Sequence, residues 1–173
     1  MNKFIFFFLL ISINSFSQKS LKKLLKKHNT ESVSYVFVDD LNEKIKKTFD
    51  PAQGDNKTIL LDARELKEYN VSHLKNAIHV GYDNFNLSKT TAKLKDKNAT
   101  IVVYCSLGIR SEDIAEKLQK AGFKNVYNLF GGIFEWKNSN NKVYTSEEKV
   151  TEKVHAFNKD WSVWLKKGIK VYE

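Results

Sequence analysis

The sequence predicts an α/β fold, a single domain built on a central, mostly parallel sheet flanked by helices, and three observations carry that reading. Short strand-like runs alternate with helical patterns along the chain, which is the order that parallel sheets produce. Two of the runs, Thr58-Ile59-Leu60-Leu61 and Ile101-Val102-Val103-Tyr104, are apolar without alternation, as strands buried on both faces are. With 173 residues and 42% hydrophobic content the chain can build one sizeable core.

Taken in order, residues 1–17 have the form of a secretory signal peptide: Asn2-Lys3 is a short positive start, Phe4 to Ile13 an apolar core, and Ser15-Phe16-Ser17 places small residues before a cut. The expected cleavage falls after Ser17 and the expected location is periplasmic or secreted. The apolar run is too short to cross a bilayer, which takes about 20 residues, so no stable membrane insertion is expected after cleavage. With no cysteine following the apolar core, a lipoprotein is excluded. Residues 18–30 form a basic amphipathic lead-in, with Leu21, Leu24 and Leu25 on one helical face among Lys22, Lys23, Lys26 and Lys27.

Ser34 to Val38 suits an edge strand, and Asp39 or Asp40 a cap for a helix running to about Phe49. Pro51-Ala52-Gln53-Gly54-Asp55 breaks the pattern. The first buried strand ends at Asp62, the end of a strand at which open α/β sheets bind ligands. Arg64 and Glu68 are four apart, facing each other if both lie on one helical turn. Leu87 to Leu94 reads as an amphipathic helix, and Ser111 to Ala121 as another, stopped by Gly122. Asn125 to Leu129 is a further strand, Gly131-Gly132 a tight turn into a short helix carrying Phe134 and Trp136, and Asn138 to Asn141 a polar loop. From Thr151 to Leu165, the spacing of Val154, Phe157, Trp161, Trp164 and Leu165 predicts a terminal helix packed on the core.

The formal charge of +9 invites a nucleic-acid reading, and its make-up argues against one. Of 29 basic residues only Arg64 and Arg110 are arginine, and the lysines are spread rather than clustered. Where lysine is the default cation, an arginine marks a place that needs a rigid planar fork. The four histidines and one cysteine form no metal-ligand spacing, and nothing points to a cofactor. His73 and His79 read as hydrogen-bonded residues of the fold.

The chemistry is concentrated in Cys105-Ser106-Leu107-Gly108-Ile109-Arg110-Ser111, between a buried strand and a helix. Backbone N–H groups of such a loop turn inward as an anion nest, and the helix adds the positive end of its dipole. A thiol held there ionises more readily than at its free value of roughly 8.5. Gly108 allows a positive φ if the ring requires one. The Arg110 side chain has two readings open, binding a donor anion or bracing the loop against a carboxylate such as Glu112 or Asp62.

Four motifs together resemble the rhodanese-like family of sulfurtransferases, in its single-domain form: Leu61-Asp62-Ala63-Arg64 with Glu68-Tyr69; Ser72-His73-Leu74 with Asn76-Ala77-Ile78; the Cys105 to Ser111 loop; and Gly131-Gly132-Ile133 with Trp136. On that resemblance residues 31–138 are the rhodanese-like domain and 139–173 a C-terminal extension. The resemblance implies that Cys105 attacks the outer sulfur of a small anionic donor such as thiosulfate, or of a persulfide. A persulfide then sits among the N–H groups of Ser106, Leu107, Gly108, Ile109, Arg110 and Ser111 until a thiol, a thioredoxin-like protein or cyanide removes it. It gives Asp62, Arg64, Glu68, Gly131, Gly132 and Trp136 a supporting role near the site. The loop departs from thiosulfate-using relatives in carrying Ser106 and Leu107 where some have cations, and Leu107 with Trp136 is expected to make the mouth apolar. The competing readings are an idle rhodanese-like binding module, against which the intact cysteine speaks, and a cysteine phosphatase or arsenate-type enzyme, against which the four residues between Cys105 and Arg110 speak.

Overall fold

The apolar runs do form the buried strands of a five-stranded sheet. In this computed structural model, which describes residues 20–48 and 58–172, the strands are β1 (Tyr35–Val36), β2 (Thr58–Asp62), β3 (Ile78–His79), β4 (Thr100–Tyr104) and β5 (Asn125–Leu129). Their spatial order is β1-β5-β4-β2-β3, and every pairing is parallel. Residues 1–17, expected above to be a signal peptide, and the break at Pro51 to Asp55 lie outside the described residues. Two units are distinguished, residues 1–31 and 32–173. In the first, residues 20–28 form helix α1, with Leu21 and Leu25 buried and its four lysines exposed.

In the second unit, α2 (Val38–Thr48), α3 (Leu66–Val71), α4 (Leu87–Lys93), α5 (Arg110–Lys120) and α6 (Gly132–Asn138) connect or follow the strands. Asp39 and Asp40 lie in the first turn of α2 rather than before it, where their charge still suits the helix dipole. On one face of the sheet Leu61, Ile101, Val103 and Val126 pack with Leu94 after α4 and with Ile114, Ala115 and Leu118 of α5. The alternate residues Leu60, Val102 and Tyr104 are buried as well. Burial on both faces is why β2 and β4 read as unbroken apolar runs. Gly122, at φ +92, ends α5 as the sequence indicates.

Beyond α6 the expectation of a terminal helix is overturned. Residues 143–144 and 150–151 form the antiparallel pair β6 (Val143–Tyr144) and β7 (Val150–Thr151), and β8 (Lys153–His155) pairs in parallel with β9 (Ile169–Val171). Only Trp161–Trp164 is helical, as a single 3-10 turn. The helical spacing is coincidental: Val154 and Leu165 are buried, whereas Phe157 and Val163 are exposed. Phe157 also sits at φ +65, which no helix accommodates. Long-range pairing with β9 outweighs the local pattern. Among the described residues no helix is long and apolar enough to cross a membrane.

Candidate functional site

Strand order places the site. The connection leaving β2 leads outward to β3, whereas the one leaving β4 leads toward β5, so a crevice opens between the carboxyl ends of β2 and β4. Asp62 and Tyr104, the last residues of those strands, are register partners, and Cys105 follows directly.

Cys105 is an unpaired thiol, 2% exposed, at the floor of this crevice. The Gly108 N–H donates to its Sγ over 3.1 Å, and the Ser111 hydroxyl lies 3.5 Å from it. Burial pushes the Cys105 thiol up. The nearby Arg110 charge, the Ser111 hydroxyl and the N–H groups of Ser111 and Gly108 together outweigh it, and the thiol lies below its ordinary value. Gly108 takes φ +107, where a side chain is strained, and a Cβ there would stand 3.2 Å from the Leu129 carbonyl oxygen. This is the one loop position at which glycine is required.

Two sets of hydrogen bonds hold the loop open. The carbonyls of Cys105 and Ser106 face outward, accepting from the N–H groups of Ile133 (2.9 Å) and Phe134 (3.2 Å) in the first turn of α6. Gly132 makes that approach possible, since a Cβ on it would overlap the Cys105 carbonyl oxygen. Gly131, at φ +72, turns the chain into α6. On the far side, Asn128 of β5 donates to the Gly108 carbonyl (2.8 Å) and to Glu112 (3.1 Å), and accepts from Ser111 (2.7 Å). The same serine that donates to Asn128 also faces the sulfur. Sequence reasoning missed Asn128, whose signal was a polar residue inside the apolar strand Val126-Tyr127-Asn128-Leu129.

The two arginines divide the carboxylates differently from expectation. Arg64 precedes α3 rather than lying on it, so it folds back onto Asp62: Nε reaches Oδ1 at 2.9 Å and Nη2 reaches Oδ2 at 2.6 Å, with both side chains fully buried. Nη2 also donates to the Ser72 carbonyl (2.6 Å), and the guanidinium lies over the Tyr104 ring. Asp62 and Arg64 therefore pin the end of β2 to the segment after α3. Glu68 instead takes Arg110 in a two-pronged pair, Nη1 to Oε2 at 2.7 Å and Nη2 to Oε1 at 2.8 Å, and accepts from the Ser106 hydroxyl at 3.1 Å. Arg110 braces the loop against Glu68, not against Glu112 or Asp62. His73 and His79 are residues of the fold, bonded to the carbonyls of Tyr69 and Arg64.

The mouth is also built differently. Trp136 is 7% exposed and donates its indole N–H to the Lys142 carbonyl, away from the thiol. The cavity over Cys105, about 250 Å³, is lined by Ser106, Leu107, Ile109 and Arg110 of the loop and by Phe157 and Trp161 of the C-terminal extension. The mouth is apolar as expected, but the aromatic residues come from a segment that the sequence read as a packed helix.

A thiol held in this way ionises early, and the rate at which Cys105 is alkylated by iodoacetamide should rise with pH to a plateau whose midpoint lies below that of a free cysteine thiol measured alongside. Ser111→Ala removes the hydroxyl that faces the sulfur and should move that midpoint upward. Alkylation rates measured across pH check both; a midpoint at or above that of the free thiol in the unaltered protein would contradict the electrostatics.

A parallel sheet of this order with a cysteine loop at its centre defines a class, and the chain belongs to it: the family described as Rhodanese-like domain matches residues 45–139. Over 105 residues the chain is 40% identical to a tRNA uridine(34) hydroxylase of Hamiltonella defensa subsp. Acyrthosiphon pisum (strain 5AT), covering 59% of this chain and 27% of the relative. The chain thus spans about a quarter of the length of that protein. A solved structure from Bacillus halodurans aligns with a TM-score of 0.54 at 26% identity, over 77% of this chain and 86% of its own. The thiosulfate sulfurtransferase of Pseudomonas aeruginosa shares the fold, with a TM-score of 0.57 at 18% identity over 86% of this chain and 26% of its own.

Proposed function

We propose that this chain is a sulfurtransferase that carries sulfane sulfur as a persulfide on Cys105, and that it works outside the cytoplasm. One observation carries the reading: a buried thiol, lowered in pKa, whose sulfur faces the N–H of Gly108 and the hydroxyl of Ser111 at the end of the central strand. The Cys105 thiolate attacks the outer sulfur of the donor, the donor's S–S bond breaks, and the leaving group departs with the electron pair; from thiosulfate that group is sulfite. The persulfide anion left behind is stabilised by the same preorganised donors. Attack by cyanide or a thiolate on the outer sulfur returns Cys105 as thiolate.

Two details disfavour the phosphatase reading. Four residues separate Cys105 from Arg110, and the Arg110 guanidinium is engaged by Glu68 rather than turned to an equatorial oxygen over the sulfur. The activity named for the tRNA uridine(34) hydroxylase relatives is that of chains of which this one covers about a quarter.

Intact mass after incubation with thiosulfate tests the proposal. Protein recovered from the exported fraction should begin at Gln18 and gain one sulfur atom, lost again on adding cyanide. Unchanged mass with thiosulfate and with an organic thiosulfonate alike would refute sulfur transfer, and a chain still beginning at Met1 would refute export.

A further inference from the structure

The family match ends at residue 139, yet two side chains of the cavity over Cys105 come from well beyond it. Phe157 and Trp161 stand in a segment that is fixed at several points. β8 pairs with β9, the Ala156 N–H donates to the Val171 carbonyl at 2.7 Å, and Lys137 of α6 holds Glu152 at 2.8 Å. Asn138, at the end of α6, donates to the Trp164 carbonyl and accepts from the Lys166 N–H. The segment is therefore tied to the helix that supports the cysteine loop.

Within it Phe157 takes φ +65, a backbone setting that favours glycine, and the residue is 43% exposed. Its N–H donates to His155 Nδ1 at 3.1 Å, and its ring meets the Arg110 guanidinium with 4.9 Å between centres. A bulky aromatic side chain held in a strained conformation over a reactive group is a sign of functional placement. The contact has a second consequence. Among the described residues Arg110 is the only charged one lining the cavity, and its fork is already paired with Glu68 while its face is covered by Phe157. A doubly charged inorganic donor would exchange water for apolar walls and an arginine whose hydrogen-bonding fork is already taken, which is unfavourable. A donor with a single charge and an apolar body would gain from the same walls.

We propose that Phe157 and Trp161 are specificity-determining residues that fit this site to donors whose sulfane sulfur is carried by an apolar organic group, in preference to inorganic thiosulfate. The proposal rests on the sulfurtransferase reading. With benzenethiosulfonate as probe, the Cys105 thiolate attacks the terminal sulfur, the S–S bond breaks, benzenesulfinate leaves with the electron pair, and the Cys105 persulfide remains. One anionic thiolate and one anionic donor give one anionic persulfide and one sulfinate, so no further oxidant or reductant is needed. The phenyl group is then left between the two rings and Leu107.

The test is thiocyanate formation by the full chain with benzenethiosulfonate or thiosulfate as donor and cyanide as acceptor, for the unaltered protein, Phe157→Ala, Trp161→Ala and Phe157→Leu. The unaltered protein should favour the aromatic donor by about tenfold or more in kcat/KM, the scale on which an apolar pocket discriminates. Each alanine variant should lower that preference by about tenfold, chiefly through the KM of the aromatic donor, and Phe157→Leu should restore part of it. A preference for thiosulfate in the unaltered protein would overturn the proposal. So would alanine variants that slow both donors alike, the mark of a merely structural role. Failure of both donors to leave sulfur on Cys105 would instead remove the sulfurtransferase reading and this inference with it.

Discussion

Cys105→Ser should abolish sulfur transfer, lowering thiocyanate formation by about three orders of magnitude or more, the scale of losing a nucleophile. The loss is chemical rather than structural. Sγ is buried and accepts from Gly108, and a serine oxygen in the same place accepts the same N–H with little change in volume. Stability should therefore change by no more than about 1 kcal/mol, the net worth of one hydrogen bond. What serine cannot supply is an anion at neutral pH, because the N–H groups and Arg110 that bring a thiol into range fall far short for an alcohol. Donor turnover and thermal unfolding on the same preparation give the answer. Thiocyanate formation surviving in the variant would mean that Cys105 does not carry the sulfur, and a collapse in stability would mean that the thiol holds the loop together.

The parts of this molecule that were legible in the sequence are those where burial leaves a local mark. Strands β2 and β4 were read at or within a residue of their bounds because a strand covered on both faces has no polar alternation to hide it. The cysteine loop was legible because strand, glycine and helix fall within a few residues of one another. Where the reading failed, the deciding partner lay far away in sequence. The spacing of Arg64 and Glu68 suggested a pair, but α3 begins only at Leu66, and the Glu65 N–H bonds the Glu68 carboxylate at 3.0 Å. That leaves Arg64 to Asp62 and turns Glu68 toward Arg110, a contact across the crevice that no local pattern records. The same holds for Phe157, whose ring is placed by β8–β9 pairing and by Arg110, while its spacing to Val154 and Trp161 imitates a helix. Asn128 was present as an anomaly within an apolar run and needed only to be taken as one.

Gly132→Ala should damage the loop from outside, and the effect divides into two parts that a second glycine can separate. Gly132 has φ +53, and a Cβ there would overlap the Cys105 carbonyl oxygen and stand 2.8 Å from the Ser106 carbonyl carbon. The backbone setting alone costs roughly 1–2 kcal/mol for a residue with a side chain, and forced overpacking adds roughly 1–3 kcal/mol. The crowded atoms are backbone, so no side chain can swing aside to relieve them. Relief has to come from moving α6 away from the loop, which lengthens the bonds from Ile133 and Phe134 to the Cys105 and Ser106 carbonyls. Those bonds keep the carbonyls outward, and a displacement near 1 Å in the donors around the sulfur is enough for about a hundredfold loss of rate. Gly122→Ala is the comparison: φ there is +92 with nothing within 4 Å of an added Cβ, so it should bear the backbone cost alone, on a loop remote from Cys105, and keep its rate. Chemical denaturation and single-turnover sulfur uptake should therefore show Gly132→Ala losing more stability than Gly122→Ala and, unlike it, losing rate. Equal losses of stability with both rates intact would show that the packing of Gly132 against the loop does not set the position of the sulfur's donors.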